Sequence, residues 1–267
     1  MFDISHVSKT YHARLRGGTD VLKDVSLSVA QGQSVGLVGE SGSGKSTLIK
    51  CALRLTPPSA GTITYDGIDV VAARGDALRR FRREVQLIFQ DPYSSLNPRM
   101  KVEELVGEGL LIHHIEDSAA RRRDRVAEWL ERVGLSPDDM GRYPRSFSGG
   151  QRQRIAIARA LAIGPRLLVC DEPVSALDVS VQAQVINLLK DLQEQLGLAI
   201  LFVAHDLAVV RHLCTSIAVL DQGVVVESGT REEVFDHPRE PYTRSLLEAV
   251  PVPDPQVGRR RRIPLPA

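Results

Sequence analysis

Cysteine is scarce in this chain of 267 residues: Cys51, Cys170 and Cys214 stand far apart, odd in number and without a CxxC pair. That pattern disfavours a disulfide framework and a zinc site, and it suits a reducing compartment. An excess of charge is missing too. With 34 basic against 33 acidic side chains the formal net charge is +1, so the whole-molecule balance points to no polyanionic partner and any charge function is local. Long apolar runs are absent as well. The longest, LAILFVA from Leu198 to Ala204, is far short of the roughly 20 residues that cross a bilayer, and the opening MFDISHVSKTYHARL holds no signal-peptide core. A soluble chain is the expectation. No repeat of fixed period occurs, and the one low-complexity segment is the closing RRRRIPLPA.

What is present is an ordinary globular composition, 43% hydrophobic, enough for one large domain or one domain with a second lobe. VLKDVSLSVA alternates Val25, Leu27 and Val29 against polar neighbours, as a strand with one wet face does, and GTITYDG repeats the pattern, so an antiparallel N-terminal sheet is expected. Ser34 to Gly39 reads as a short buried strand, and KSTLIKCALRL as the helix after it. VQLIFQ, Val85 to Gln90, reads as a strand that stops at a polar residue. From residue 91 to about 160 the pattern turns helical, with Val126, Leu130 and Val133 on one face. Helix and strand then alternate through RLLVCDE, LAILFVA and IAVLDQG, the sign of a parallel sheet covered on both faces. In the helix between the first two of these strands, Val181, Val185, Leu188, Leu192 and Leu196 make one apolar stripe. Thr230 and Glu233 offer a capping box near the end, and residues 251–267, with four consecutive arginines, are expected not to fold independently.

GLVGESGSGKSTLIK concentrates glycine where a buried strand meets a helix. Glycine loses more conformational freedom on folding than any other residue, so such a cluster implies close approach of backbone to a ligand. Gly39, Gly44, Lys45 and Ser46 satisfy GxxxxGK[ST] in the required strand-to-helix context. Small residues, Ser41, Gly42 and Ser43 among them, let successive N–H groups converge on phosphate oxygens at a helix N-terminus. Lys45 then reaches the β and γ phosphates of a nucleotide triphosphate, and Ser46, followed by Thr47, is placed to ligate Mg²⁺. The strand RLLVCDEP delivers Asp171 and Glu172 to the carboxyl end of the sheet, where open α/β sheets bind ligands. Asp171 suits the hydrated Mg²⁺, and Glu172 suits the polarisation of an attacking water, although an acidic pair after a strand is in other settings a plain helix cap.

SFSGGQRQR supplies a second glycine pair, before a helix expected to start near Gln151, with Ser148 able to offer its hydroxyl. One nucleotide cannot easily use two such loops of one subunit. Over residues 1 to about 250 the chain resembles the ABC ATPase family, whose LSGGQ signature appears here with Phe147 in place of leucine. The resemblance implies an α/β P-loop ATPase with a mainly parallel sheet core, an N-terminal antiparallel β lobe and an inserted helical lobe. It also implies that Ser148, Gly149, Gly150 and Gln151 cover ATP held by the P-loop of an opposite subunit. By the same resemblance Tyr11 stacks on adenine, Gln90 senses Mg²⁺ and the γ-phosphate, Asp178 in SALD crosses the dimer interface, and His205 contacts the γ-phosphate. The catalytic set it implies is Glu172, His205, Gln90 and Lys45, and the Mg²⁺ ligands are Ser46, Gln90 and Asp171. Cys170 reads as packing.

Spacing separates the branches of that family. Only 57 residues lie between Gln90 and Ser148, room for one helical lobe and not for a coiled-coil insertion, and 62 follow His205, too few for a regulatory barrel. A bare transporter subunit fits, with a soluble ABC ATPase acting on a nucleic-acid or protein complex, or an exporter ATPase, as the alternative. FQDPYSSLNPRM and DHPREPYTRSLLEAVP look like the importer subfamily for dipeptides, oligopeptides and nickel. That likeness implies integral membrane permease subunits, a second and usually different ATPase chain, an extracytoplasmic substrate-binding protein reached indirectly, and peripheral attachment at the cytoplasmic face of a bacterial-type membrane. It implies no nucleic-acid partner, and without C-terminal cysteines no iron–sulfur cluster is expected.

Overall fold

The computed structural model describes residues 1–13, 16–91 and 95–249. The N-terminal strands β1 (Phe2–Ala13) and β2 (Arg16–Val29) pair antiparallel. After β3 (Ser34–Val38), the strand β4 (Ala60–Tyr65) joins the other edge of β1, and short β5 (Ile68–Asp69) completes a four-stranded antiparallel sheet. β1 is not anticipated from sequence, and the reason is local. Phe2 and Ile4 are buried, then a bulge at His6, with φ of 54°, switches the buried set to Val7 and breaks the period of two.

The larger sheet has six strands in the order β10 (Val224–Thr230), β9 (Ser216–Asp221), β3, β8 (Ala199–Ala204), β7 (Leu167–Asp171) and β6 (Val85–Ile88). All are parallel except the edge strand β10, which no sequence pattern announced. Alternation along these strands divides the core in two. Val35, Leu37, Val169, Leu201, Val203 and Leu220 share one cluster with the small sheet and with α1 (Lys45–Ala52). Val38, Leu168, Cys170, Ile200, Phe202 and Val219 share the other with the helices. Both faces are therefore covered, and the central strands carry almost no polar residue.

α2 (Gly75–Glu84) precedes β6, which ends at Ile88, two residues before the expected Gln90. Between β6 and β7 come α3 (Val102–Ile112), α4 (Ala119–Arg132) and α5 (Gly149–Leu161). Val126, Leu130 and Val133 are buried there as expected, with Trp129 beside them. In α6 (Val179–Leu196) the stripe is corrected. Val185, Ile186, Leu189 and Leu192 are the buried residues, whereas Leu196 is exposed in the last turn before left-handed Gly197. α7 (Leu207–Leu213) packs on β3 so closely that a Cβ at Gly36 would overlap Val210. At the start of α8 (Arg231–Asp236) the capping box forms: Glu233 N–H donates to Thr230 Oγ1 at 3.2 Å and Thr230 N–H to Glu233 Oε2 at 2.8 Å. α9 (Pro241–Ala249) follows. The expectation for residues 251–267, the arginines Arg259 to Arg262 included, lies outside the described residues.

Candidate functional site

The glycine loop sits at the carboxyl end of the central strand β3, where Gly39, Gly42 and Gly44 take φ values of 156°, 85° and 112°. A side chain at Gly39 would also collide with the Leu220 carbonyl. These glycines are demanded by backbone shape, and the shape leaves the start of α1 open: its N-cap is Gly44, with no side-chain cap. Ser43 Oγ is buried without a partner. The loop is braced from behind, Ser43 O accepting from Gly223 N–H at 2.9 Å. Lys45 Nζ donates to Gly39 O at 2.7 Å and to Glu40 O at 2.8 Å. Burial lowers the pKa of this ammonium, while Glu172 and Asp171 pull it back up.

Asp171 ends β7 and Glu172 follows it in the left-handed region, φ 46°. Burial and then the neighbouring Glu172 raise the Asp171 pKa, opposed by Lys45 and by the Ser46 hydroxyl. Its Oδ1 is buried with no partner. An orphaned carboxylate oxygen beside a serine hydroxyl is a fitting donor set for a hard divalent cation, so the residues present suit Mg²⁺. Glu172 Oε2 receives Gln90 Nε2 at 3.1 Å and lies 3.3 Å from His205 Nδ1. Gln90 Nε2 also donates at 3.4 Å to the hydroxyl of Ser175, the first residue of SALD, to which the sequence assigns no role of its own. A cleft of about 350 Å³ is lined by Ser41, Gly42, Gly44, Lys45, Ser46 and Thr47 together with Val21, Gln90 and Glu172. Seven of the expected site residues thus share a wall with Glu172.

Other expected residues stand elsewhere. Tyr11 is exposed on β1, with the Lys9 ammonium 5.0 Å from its ring centroid. Asp178 is the N-cap of α6, accepting from Val181 N–H at 3.0 Å and from the Ser180 hydroxyl at 2.7 Å, and these bonds hold its carboxyl below the usual range. Ser148 to Gln151 line no part of the cleft at the glycine loop. The helix there begins at Gly149, not near Gln151, so both glycines lie in its first turn. Ser148 Oγ accepts from Gln151 N–H at 3.3 Å and Gln151 Oε1 from Ser148 N–H at 3.0 Å, a closed capping box. Gly150 is required by packing, because a Cβ would run into Val181 of α6.

A nucleotide-binding cassette is the class that this fold and cleft define. The profile described as ABC transporter matches residues 22–175, and one described as oligopeptide/dipeptide transporter, C-terminal region, matches 226–265. A Brucella ovis protein provisionally named a peptide import ATP-binding protein is 51% identical over 253 residues, 94% of this chain and 80% of that one. The dipeptide transport ATP-binding protein of Lactococcus lactis is 47% identical, covering 98% of this chain and 85% of its own length. Among solved structures, a dimeric ATP-binding cassette in a post-hydrolysis state with ADP and Pi superposes with a TM-score of 0.78 at 33% identity, over 86% of this chain and 99% of that one. An ABC transporter component from Clostridium perfringens gives 0.79 at 27% identity, over 98% of each chain. The chain belongs to the ABC transporter family and is one of its ATP-hydrolysing cassettes.

Proposed function

We propose that the chain is the ATPase subunit that energises import of di- or oligopeptides through partner membrane subunits, working as a pair of cassettes at the cytoplasmic face of the membrane. The observation that carries the ATPase part is the single cleft joining the open glycine loop to Lys45, Gln90 and Glu172. For the peptide, support comes from the C-terminal region profile and from relatives named for peptide transport.

In this reading Lys45 and the N–H groups of residues 42–46 hold the β and γ phosphates of ATP, the lysine moving from the two carbonyls that now hold it. Ser46, Asp171 and Gln90 hold Mg²⁺, which when bound neutralises phosphate charge. Glu172 accepts a proton from water as the water oxygen bonds to the γ-phosphorus and the bond to the β–γ bridging oxygen breaks. Gln90 and His205 position the Glu172 carboxylate from two sides, His205 also contacting the γ-phosphate. Tyr11 supplies the adenine contact. Because the Ser148 loop lies off this cleft, it serves the nucleotide of a second subunit, with Asp178 at the same junction. A different ATPase chain is the expected partner, with a homodimer as the other arrangement.

No helix among the described residues is long and apolar enough to cross a membrane. A groove of about 260 Å³ lined by Leu53, Leu55, Phe81, Phe89, Ser95 and Arg159 is suited to receive a segment of the membrane subunit. Leu55 and Phe89 are exposed there, and Phe89 stands one residue before Gln90. Pro92, Tyr93 and Ser94, in the importer-like stretch FQDPYSSLNPRM, lie outside the described residues. The test is uptake of labelled di- and oligopeptides by vesicles holding the complete transporter and its binding protein. Uptake dependent on ATP and lost in Glu172→Gln is the expected result; ATP hydrolysis in that system with no peptide accumulation contradicts the importer reading.

A further inference from the structure

The match between this chain and the importer C-terminal region covers Tyr242, and Tyr242 does something local patterns do not show. Its hydroxyl accepts the Glu40 N–H at 2.9 Å, across 202 residues of sequence. Glu40 N–H and Gly39 C=O belong to one peptide unit, planar and trans, so the two groups point to opposite sides. The carbonyl end accepts from Lys45 Nζ at 2.7 Å. One peptide plane at the mouth of the glycine loop is therefore held at both ends, by the lysine on one side and by the tyrosine on the other. Gly39, at φ 156°, is the residue best able to let that plane rotate.

The tyrosine is itself held in place. Glu227 on β10 accepts from the N–H groups of Arg239 and Glu240, at 2.8 and 3.3 Å, where the chain turns into α9. Arg244 closes the same turn by donating to the Pro238 and Arg239 carbonyls. Tyr242, Leu246 and Leu247 pack on the helical side of the core. The turn before β10 adds the Gly223 bond to Ser43 O, so the glycine loop has two braces, both from the last part of the chain.

We propose that Tyr242 is a positioning residue for nucleotide binding: it fixes the Gly39–Glu40 peptide and with it the carbonyl from which Lys45 is aimed. The proposal rests on the reading of Lys45 as the phosphate-binding lysine. A coupling of this kind is reciprocal, so nucleotide in the loop must tighten the docking of α9 by the factor by which docking tightens nucleotide.

The test uses the full chain, with calorimetric titration of Mg·ADP and of a non-hydrolysable ATP analogue, and hydrogen exchange of the peptides covering Gly36–Gly44 and Pro241–Ala249. Tyr242→Phe keeps the ring and removes the acceptor. Loss of one neutral hydrogen bond predicts binding weaker by roughly threefold to tenfold. In wild type, nucleotide slows exchange in both peptides; in Tyr242→Phe it slows only the first. A purely structural role would loosen α9 equally with and without nucleotide. Glu227→Gln weakens the turn that seats Tyr242, from β10, and carries the test should the first variant fold poorly. The two substitutions together are expected to weaken binding no more than the stronger of them alone. Unchanged affinity in a folded Tyr242→Phe overturns the proposal, as does α9 protection that ignores nucleotide. If wild type itself bound no nucleotide, or Lys45→Ala bound it normally, the underlying reading would fail instead.

Discussion

Two segments of this chain place glycines at the start of a helix, and the structure treats them in opposite ways. In residues 39–46 the glycines have positive φ, the helix N-cap is Gly44 without a side-chain bond, and Ser43 Oγ is left unpartnered. In residues 148–151 the glycines are helical, Ser148 and Gln151 close a capping box on each other, and Gly150 is there because Val181 leaves no room. The first helix end is open to an anion, while the second has satisfied two of its free donors itself. Clustered glycine at a helix start is thus not one signal. What separates the two is the cap, a closed capping box at the second helix start and no side-chain cap at the first, and only the open loop shares a cleft with Gln90 and Glu172.

That contrast can be broken most severely at the carboxylate facing the open loop. Glu172→Gln preserves shape and removes the proposed base, and a positioned base contributes about 10²- to 10⁴-fold, so single-turnover hydrolysis in the assembled transporter should drop by that factor with nucleotide still bound. Hydrolysis at the wild-type rate would remove Glu172 from the mechanism. Lys45→Ala comes next. It deletes a charged donor and leaves the Gly39 and Glu40 carbonyls without it, so binding of Mg·ATP should weaken by at least roughly tenfold to a hundredfold. The glycines sharpen the comparison further. Gly150→Val should destabilise the α5 and α6 contact by about 1–3 kcal/mol, as overpacked sites do, with nucleotide affinity of the isolated chain unchanged. Gly42→Ala meets nothing within 4 Å, so its cost is backbone strain of about 1–2 kcal/mol, and its effect should fall on nucleotide affinity. Denaturant melts and titrations of the pair separate these outcomes. The smallest effect is expected from Ser148→Ala: about 1 kcal/mol of stability from a lost cap, read as a lower melting temperature.

Much of this molecule is legible in its sequence wherever local chemistry decides the outcome. The strand-loop-helix around Lys45 is one such place, because the glycines, the lysine and the serine all serve one local geometry. The strands around Leu168 and Leu201 are another, because burial on both faces leaves continuous apolar runs. What escapes depends on non-local partners. The bulge at His6 scrambles the alternation of β1, and β10 exists as a strand because Val224 to Thr230 find β9. The buried face of α6 is set by which of its residues meet the core, so Ile186 and Leu189 displace Leu196. For the site, Lys45, Ser46, Gln90 and Glu172 line one cleft, and His205 meets Glu172. Ser175 in SALD and Tyr242 in DHPREPYTRSLLEAVP stand in stretches the sequence marks, yet their contacts are not legible there, because each partner, Gln90 for the first and Glu40 for the second, is distant in the chain.

If the open loop holds the nucleotide of its own chain while the capped loop serves that of another, the two loops must respond differently to assembly. The most direct measurement is Mg·ATP affinity of the isolated chain, compared for Lys45→Ala and Ser148→Ala, alongside hydrolysis by the assembled transporter. Lys45→Ala is expected to lose affinity in the isolated chain while Ser148→Ala binds like wild type, and both are expected to hydrolyse more slowly once assembled. A loss of affinity in isolated Ser148→Ala equal to that of Lys45→Ala would contradict this division of roles.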